Sequence, residues 1–146
     1  MKTRTNFINR DIVIKAPRER VWKAVQDPDT MAKWFFNSWR GDWKVGGLVW
    51  FHFDGYGDVP AMPTEISDER VSFAWTRYSE KVTEPTLDDF ALRVTFEAVP
   101  HPDGTLLKVM ETGYDNLSDE DFPKDYADHE QGWTSELAEL VALVEA

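Results

Sequence analysis

Apolar residues recur at two periods along this chain, and the change from one to the other divides it. Over residues 124–144, Tyr126, Trp133, Leu137, Leu140, Val141 and Val144 return at three-, four- and seven-residue steps. That spacing predicts one long amphipathic helix with these side chains on a single stripe, and it puts Asp125, Asp128, Glu136 and Glu139 off the stripe. Most of the chain before the helix alternates instead. Strands are predicted at 7–14 and near 38–43, 48–54, 59–66, 70–77, 90–99 and 105–113. Their punctuation is explicit: Gly46-Gly47, Gly55-Tyr56-Gly57-Asp58, Ser67-Asp68-Glu69 and Pro100-His101-Pro102-Asp103-Gly104 all read as turns. Two short helices interrupt the strands early. The first opens at 16–20, with Pro17 in the first turn where its missing N–H costs nothing, shows Val21, Trp22 and Val25 on one face, and stops at Asp27-Pro28. The second covers 29–34 and runs into Trp34-Phe35-Phe36. Residues 79–89, polar and containing Pro85, read as a loop.

One helix is thus left to cover one sheet. A sheet long enough to use these strands has to curl around the helix, and such a grip leaves a pocket between the two. Strand parity nominates the lining. Val71, Phe73 and Trp75 share a face, and pairing across the Ser67 turn places Ile66, Thr64 and Met62 beside them with Glu65 pointing outward. On the strand 105–113, Leu107, Val109 and Glu111 share one face and Leu106, Lys108 and Met110 the other. If the first set faces the helix, a carboxylate sits in an apolar concavity and needs a partner there. His129, one turn before Trp133, is one candidate partner. Arg10, which shares parity with Ile8, Ile12 and Ile14, is the other. Such a pair would anchor a ligand carbonyl or hydroxyl, serve as an acid and a base, or simply form a structural hydrogen bond. The expected lining is Trp34, Phe51, Phe53, Phe73, Trp75, Phe96, Val109, Glu111, His129, Trp133 and Leu137. Aromatics such as these are as much core as pocket wall.

Composition removes several function classes. The chain has no cysteine, which excludes disulfides, thiolate nucleophiles and cysteine metal sites and fits a reducing compartment. No apolar run reaches the length of a signal peptide core or a bilayer span, so a cytoplasmic location is the default expectation, with no membrane partner. A net charge of −11 argues against nucleic acid. The charge is also polarised: residues 111–146 carry eleven acids against Lys124, whereas residues 2–44 carry ten bases against five acids. This reads as an acidic helix face balanced within one fold, or as an acidic face for a basic partner. His52, His101 and His129 are widely spaced, so no metal is expected. Neither a Gly-x-Ser-x-Gly elbow nor a phosphate-cradling glycine loop occurs, and no cofactor is expected. Gly132, inside the long helix at a cost of about 1 kcal/mol against alanine, reads as allowing close approach of the sheet. At 146 residues a single domain over 1–146 is the economical reading, and it would bury roughly 70% of its extended-chain surface.

Several segments together resemble a known family. Ile14 through Trp22, Asp27-Pro28, Met31, Trp34-Phe35, Gly41-Asp42, Val45-Gly46-Gly47, Phe73-Ala74-Trp75, Glu111-Thr112-Gly113-Tyr114 and Gly132-Trp133 match, in order, the family named for the activator of the Hsp90 ATPase, within the START/Bet v 1-like (SRPBCC) superfamily. The resemblance implies an α+β helix-grip fold: a curved antiparallel six- or seven-stranded sheet wrapped around a long C-terminal helix, with two short helices after the first strand. It does not imply a known reaction, since one fold hosts many functions. The leading expectation is binding of a hydrophobic or aromatic small molecule in the cavity between sheet and helix, without defined catalysis and with no catalytic residue assigned. Two other classes stand beside it. One is a module that contacts a chaperone or other protein in a stress response, as the family name suggests. The other is an enzyme of the cyclase, dehydratase or hydrolase sort using Glu111 and His129.

Overall fold

The computed structural model describes residues 5–76 and 82–146. Among these residues seven antiparallel strands form one sheet: β1 (Phe7–Ile14), β2 (Ser38–Gly41), β3 (Val49–Phe53), β4 (Gly57–Ile66), β5 (Arg70–Trp75), β6 (Leu92–His101) and β7 (Gly104–Thr112). Their spatial order is β1-β7-β6-β5-β4-β3-β2. Each strand from β2 to β7 therefore lies beside its sequence neighbours, and β1 returns to pair with β7 along the full register from Phe7 opposite Thr112 to Ile14 opposite Thr105. Two short helices, α1 (Arg18–Gln26) and α2 (Pro28–Met31), follow β1, and the helix α3 (Phe122–Glu145) closes the chain. This is the α+β helix-grip arrangement. The predicted strand 70–77 and loop 79–89 reach into residues 77–81, which lie outside the described residues; the rest of that loop holds a 3-10 turn, Leu87–Asp89.

Side chains of α3 at Asp125, His129, Trp133, Leu137, Leu140 and Val144 are buried, a stripe of four- and three-residue steps laid on the sheet. Both ends are pinned. Tyr126 donates its hydroxyl to the Phe7 carbonyl at 3.0 Å, Lys15 N–H donates to Glu145 Oε2 at 2.9 Å, and Arg20 donates to the Val144 carbonyl at 3.1 Å. The stripe differs from the sequence reading at its start. Asp125 is fully buried on it, while Tyr126 and Val141 sit half-buried at its flank. Apolarity alone misses this because the helix begins over a polar part of the sheet, where Glu111 and Tyr114 are also buried.

The β4–β5 pairing departs from simple alternation. Ile66 lies opposite Val71 as the turn predicts, but the register then shifts between Pro63 and Glu65, so that Pro63 faces Phe73 and Ala61 faces Trp75. Thr64 is the extra residue of this bulge, and Met62 pairs with Ala74 on the outer side. Proline has no N–H for a ladder, and strands absorb it at such irregularities. The Pro63 carbonyl is used instead by Gly46 N–H, at 2.9 Å, which ties the 42–48 loop to β4. Glu65 does point outward, toward Arg70 at 3.3 Å.

Gly113 turns the chain out of β7. It holds φ +104°, and a Cβ there would stand 2.1 Å from the Ala91 carbonyl oxygen. The turn it allows, Tyr114–Asn116, folds Tyr114 back over the inner face of β7. Replacing Gly113 with alanine combines left-handed strain with that collision. We expect Gly113→Ala to lower unfolding free energy by about 2 kcal/mol or more, read from the shift of a chemical denaturation midpoint; an unchanged midpoint would show that the turn does not constrain the fold.

Candidate functional site

Glu111 lies near the end of β7 on the inner face, opposite Ile8 on one side and Val94 on the other, and is 0% exposed. An ionised carboxylate at such a depth survives only if donors replace its water. Four side chains supply them. Trp75 donates its indole N–H to Oε2 at 2.8 Å, reaching from β5 across the intervening β6. Trp133 on α3 donates its indole N–H to Oε1 at 3.0 Å, and the Tyr114 hydroxyl donates to the same oxygen at 2.7 Å. His129, one turn before Trp133, places Nδ1 at 2.9 Å from both oxygens. Because a carboxylate only accepts, Nδ1 carries the proton, and the ring is fixed in orientation.

These contacts set the charge state. Burial pushes the Glu111 carboxyl upward, but the electrostatic influence of His129 and the hydrogen bonds from His129, Tyr114 and Trp133 outweigh it, and the net direction is downward. Tyr114 moves the opposite way: burial first, then the Glu111 charge and hydrogen bond, raise its hydroxyl far above the usual range and keep it a donor. Of the two partners considered for Glu111, His129 is the one in place. Arg10 reaches Glu130 instead, at 3.8 Å.

A cleft of about 520 Å³ opens beside this cluster, between the N-terminal half of α3, the turn after β3 and the segment after α2. Trp75, Trp133 and His129 wall it from within, and these are three of the four donors held by Glu111. Phe35, Phe53 and Tyr56 complete the aromatic wall, and Glu136, Gly132 and the Lys124–Asp128 pair, 3.1 Å apart, lie along its helix side. Of the residues nominated from sequence, Phe53, Trp75, His129 and Trp133 face this cleft. Trp34, Phe51, Phe73, Phe96, Val109 and Leu137 are buried in the core away from its wall, and Glu111 sits behind it. The reason is the density of rings: Phe35 alone has the rings of Trp34, Phe36, Phe51, Phe53, Phe73, Trp75 and Trp133 between 5.2 and 6.2 Å away. The middle of the grip is therefore filled, and open space remains at one end.

Phe35, Tyr56, Gly132 and Glu136 line the cleft but were not among the lining residues expected from the sequence. Phe35 lay in plain view within Trp34-Phe35-Phe36, since three successive rings after a short helix cannot all point one way. Gly132 differs from its sequence reading. A Cβ built there meets nothing within 4 Å, so the glycine does not serve close packing; it widens the cleft. Glu136 is half-buried, and burial, reinforced by the neighbouring charge of Glu139, raises its carboxyl to about 7. Among the described residues no group of three or more His, Cys, Asp or Glu side chains could hold a metal ion, and no helix is long and apolar enough to cross a membrane.

Glu111→Gln keeps the shape but turns an acceptor toward a donor where four donors converge. We expect it to destabilise the fold by about 3 kcal/mol at pH 7, measured by chemical denaturation. A carboxyl lowered in the fold contributes stability above its unfolded value near 4.5, and that contribution is lost as pH falls through the lower folded value. The difference between wild type and variant should therefore be full above about pH 4.5 and close on further acidification. A difference that does not change with pH would mean that Glu111 is not ionised in the fold.

Comparison with known proteins agrees with this architecture. The protein MLL2253 from Mesorhizobium loti superimposes with a TM-score of 0.77 at 20% identity, covering 95% of this chain and 96% of that one. The Aha1 dimer from Colwellia psychrerythraea gives a TM-score of 0.75 at 20% identity over 97% of each chain. DynU16, from the dynemicin biosynthetic locus, gives 0.77 at 18% identity over 98% of this chain and 48% of its own. At these identities the likeness is one of fold. No curated protein matches the chain. The family model described as Activator of Hsp90 ATPase homolog 1-like protein matches residues 15–145. With nearly its whole length matched, and with the helix-grip fold shared by these neighbours, the chain belongs to the Activator of Hsp90 ATPase homolog 1-like family.

Proposed function

We propose that this protein binds a small aromatic or otherwise flat apolar molecule in the cleft beside α3, and that it does so without a defined reaction of its own. One observation carries the reading: the two indoles and the imidazole that wall the cleft are all fixed by hydrogen bonds to a single buried carboxylate. Flat faces held in place before a ligand arrives lose little freedom when it binds, which is where affinity is usually forfeited. The volume lies within the range of small-molecule sites, and the wall has the expected mixture of many aromatic and few polar groups. Gly132 supports the same reading, because a helix-interior glycine without a packing neighbour is a cost of about 1 kcal/mol whose visible effect is space in the cleft.

The alternative of an enzyme is favoured by one feature, the imidazole of His129, which meets the cleft while a carboxylate orients it. In that reading His129 would exchange the proton. Glu111, enclosed by its four donors, would position it. The chaperone-contact alternative rests on the family description alone. The cytoplasmic setting and the single-domain organisation remain parts of the proposal.

Prodan, a neutral fluorescent naphthalene, tests the cleft directly. We expect saturable binding seen both in prodan emission and in quenching of tryptophan fluorescence, because Trp75 and Trp133 line the site. Gly132→Leu should fill the cleft and weaken binding about tenfold or more, while the helix gains about 0.8 kcal/mol of propensity and the melting point does not fall. Absence of saturable binding, or equal affinity in Gly132→Leu, would contradict the assignment.

A further inference from the structure

The helix side of the cleft carries a carboxyl group, Glu136, that no ion pair joins to a base among the described residues. Lys124 and Asp128 neutralise one another at 3.1 Å. Glu136, two turns further along α3 from Asp128, lines both the main cleft and a shallower neighbouring depression, where Glu139, Asp54 and Lys33 also lie. Acids outnumber bases there, and among the described residues no ion pair or hydrogen bond joins Glu136 to Lys33. The titratable groups that share these two depressions with Glu136 are Glu139, Asp128, Lys124 and His129 from its own helix, Lys33 from the segment after α2, and Asp54 and Tyr56 from the turn after β3. Phe35, Phe53 and Trp133 present ring surface alongside it.

We propose that the molecule taken by this cleft is a cation, an arylalkylamine in its ammonium form or an aryl-bearing quaternary ammonium, whose charged end lies against the Glu136 carboxylate while its ring covers the aromatic wall. This rests on the cleft being a ligand site, and it names the ligand's chemistry. Two kinds of attraction converge on such a molecule. The Glu136 carboxylate at the rim, paired with no base among the described residues, offers a cation its counterion, and the faces of Trp133 and the phenylalanines attract positive charge through their quadrupoles. A neutral ligand would use the second surface and leave the first unpaired; an anion would be repelled by it.

The carboxyl of Glu136, raised to about 7 by burial and by Glu139, gives the proposal a pH signature. Below that value the group is neutral and offers a cation no counterion. Above it the group is charged, and a bound cation both uses and stabilises the charge. Cation affinity should therefore rise as pH rises through about 7.

Isothermal calorimetry on the full chain with three naphthyl probes separates the outcomes: the permanent cation 2-naphthylmethyl-trimethylammonium, neutral 2-naphthylmethanol and anionic 2-naphthylacetate. We expect the cation to bind best at pH 8.5 and to lose about five- to tenfold in affinity at pH 5.5, in line with one half-exposed charge pair and ring contact. Glu136→Gln, with its fold verified by circular dichroism, should reduce cation affinity at pH 8.5 to the pH 5.5 level and flatten the profile, which a merely structural role for Glu136 would not do. If 2-naphthylmethanol or 2-naphthylacetate binds as well as the cation at pH 8.5, or if Glu136→Gln keeps the pH profile, the cation assignment falls while the cleft remains a site. If none of the three binds, the ligand site itself falls, and this inference with it.

Discussion

A carboxylate taken out of water must be given back its hydrogen bonds, and most of what is particular about this fold follows from how Glu111 gets them. No donor comes from its strand neighbours Ile8 and Val94. The donors arrive from three other places: β5 through Trp75, the turn after β7 through Tyr114, and α3 through His129 and Trp133. Each donor fixes the element that carries it. The sheet must curve enough for Trp75 to reach across β6, Gly113 must adopt its left-handed conformation so that Tyr114 can return, and α3 must present His129 and Trp133 at one rotational setting. A purely apolar stripe could slide or turn on the sheet at small cost, whereas a shared carboxylate specifies a register.

The same constraint connects stability to the site. Trp75, His129 and Trp133 have one edge bonded to Glu111 and another surface at the cleft, so the groups that hold the helix on the sheet also form the wall a ligand meets. Function on this reading needs little motion at that wall. The solvent-facing part is the rim, where half-buried Glu136, exposed Lys124 and Asp128, and Tyr56 stand in contact with water. Rigidity lies behind the cleft and charge lies along its edge, which suits recognition of a flat molecule by its faces and of its charge by one group.

Period and parity make much of this legible in the sequence. The long helix, the strands and their turns, the inward face of β7 and the carboxylate on it followed from spacing, as did His129 as a possible partner of Glu111. Other features were not legible because they depend on contacts between segments far apart in sequence. Alternation predicts Met62 beside Trp75, but Pro63 forces a bulge and substitutes Ala61. Amphipathicity puts Asp125 outside, but the start of α3 lies on a polar patch made by β7 and its turn. The aromatic count predicts a lined cavity without saying that Phe35 fills its centre. The raised carboxyl of Glu136 comes from partial burial and Glu139 together, and neither is a property of one position.

The claim that one carboxylate organises both helix and cleft is tested most directly by the indole N–H resonances of Trp75 and Trp133 in a nitrogen-15 NMR experiment. The account predicts that both exchange with solvent far more slowly than that of part-exposed Trp39, and that both shift with a common midpoint on acidification, because both donate to Glu111. Exchange at either indole as fast as at Trp39, or two unrelated midpoints, would contradict it.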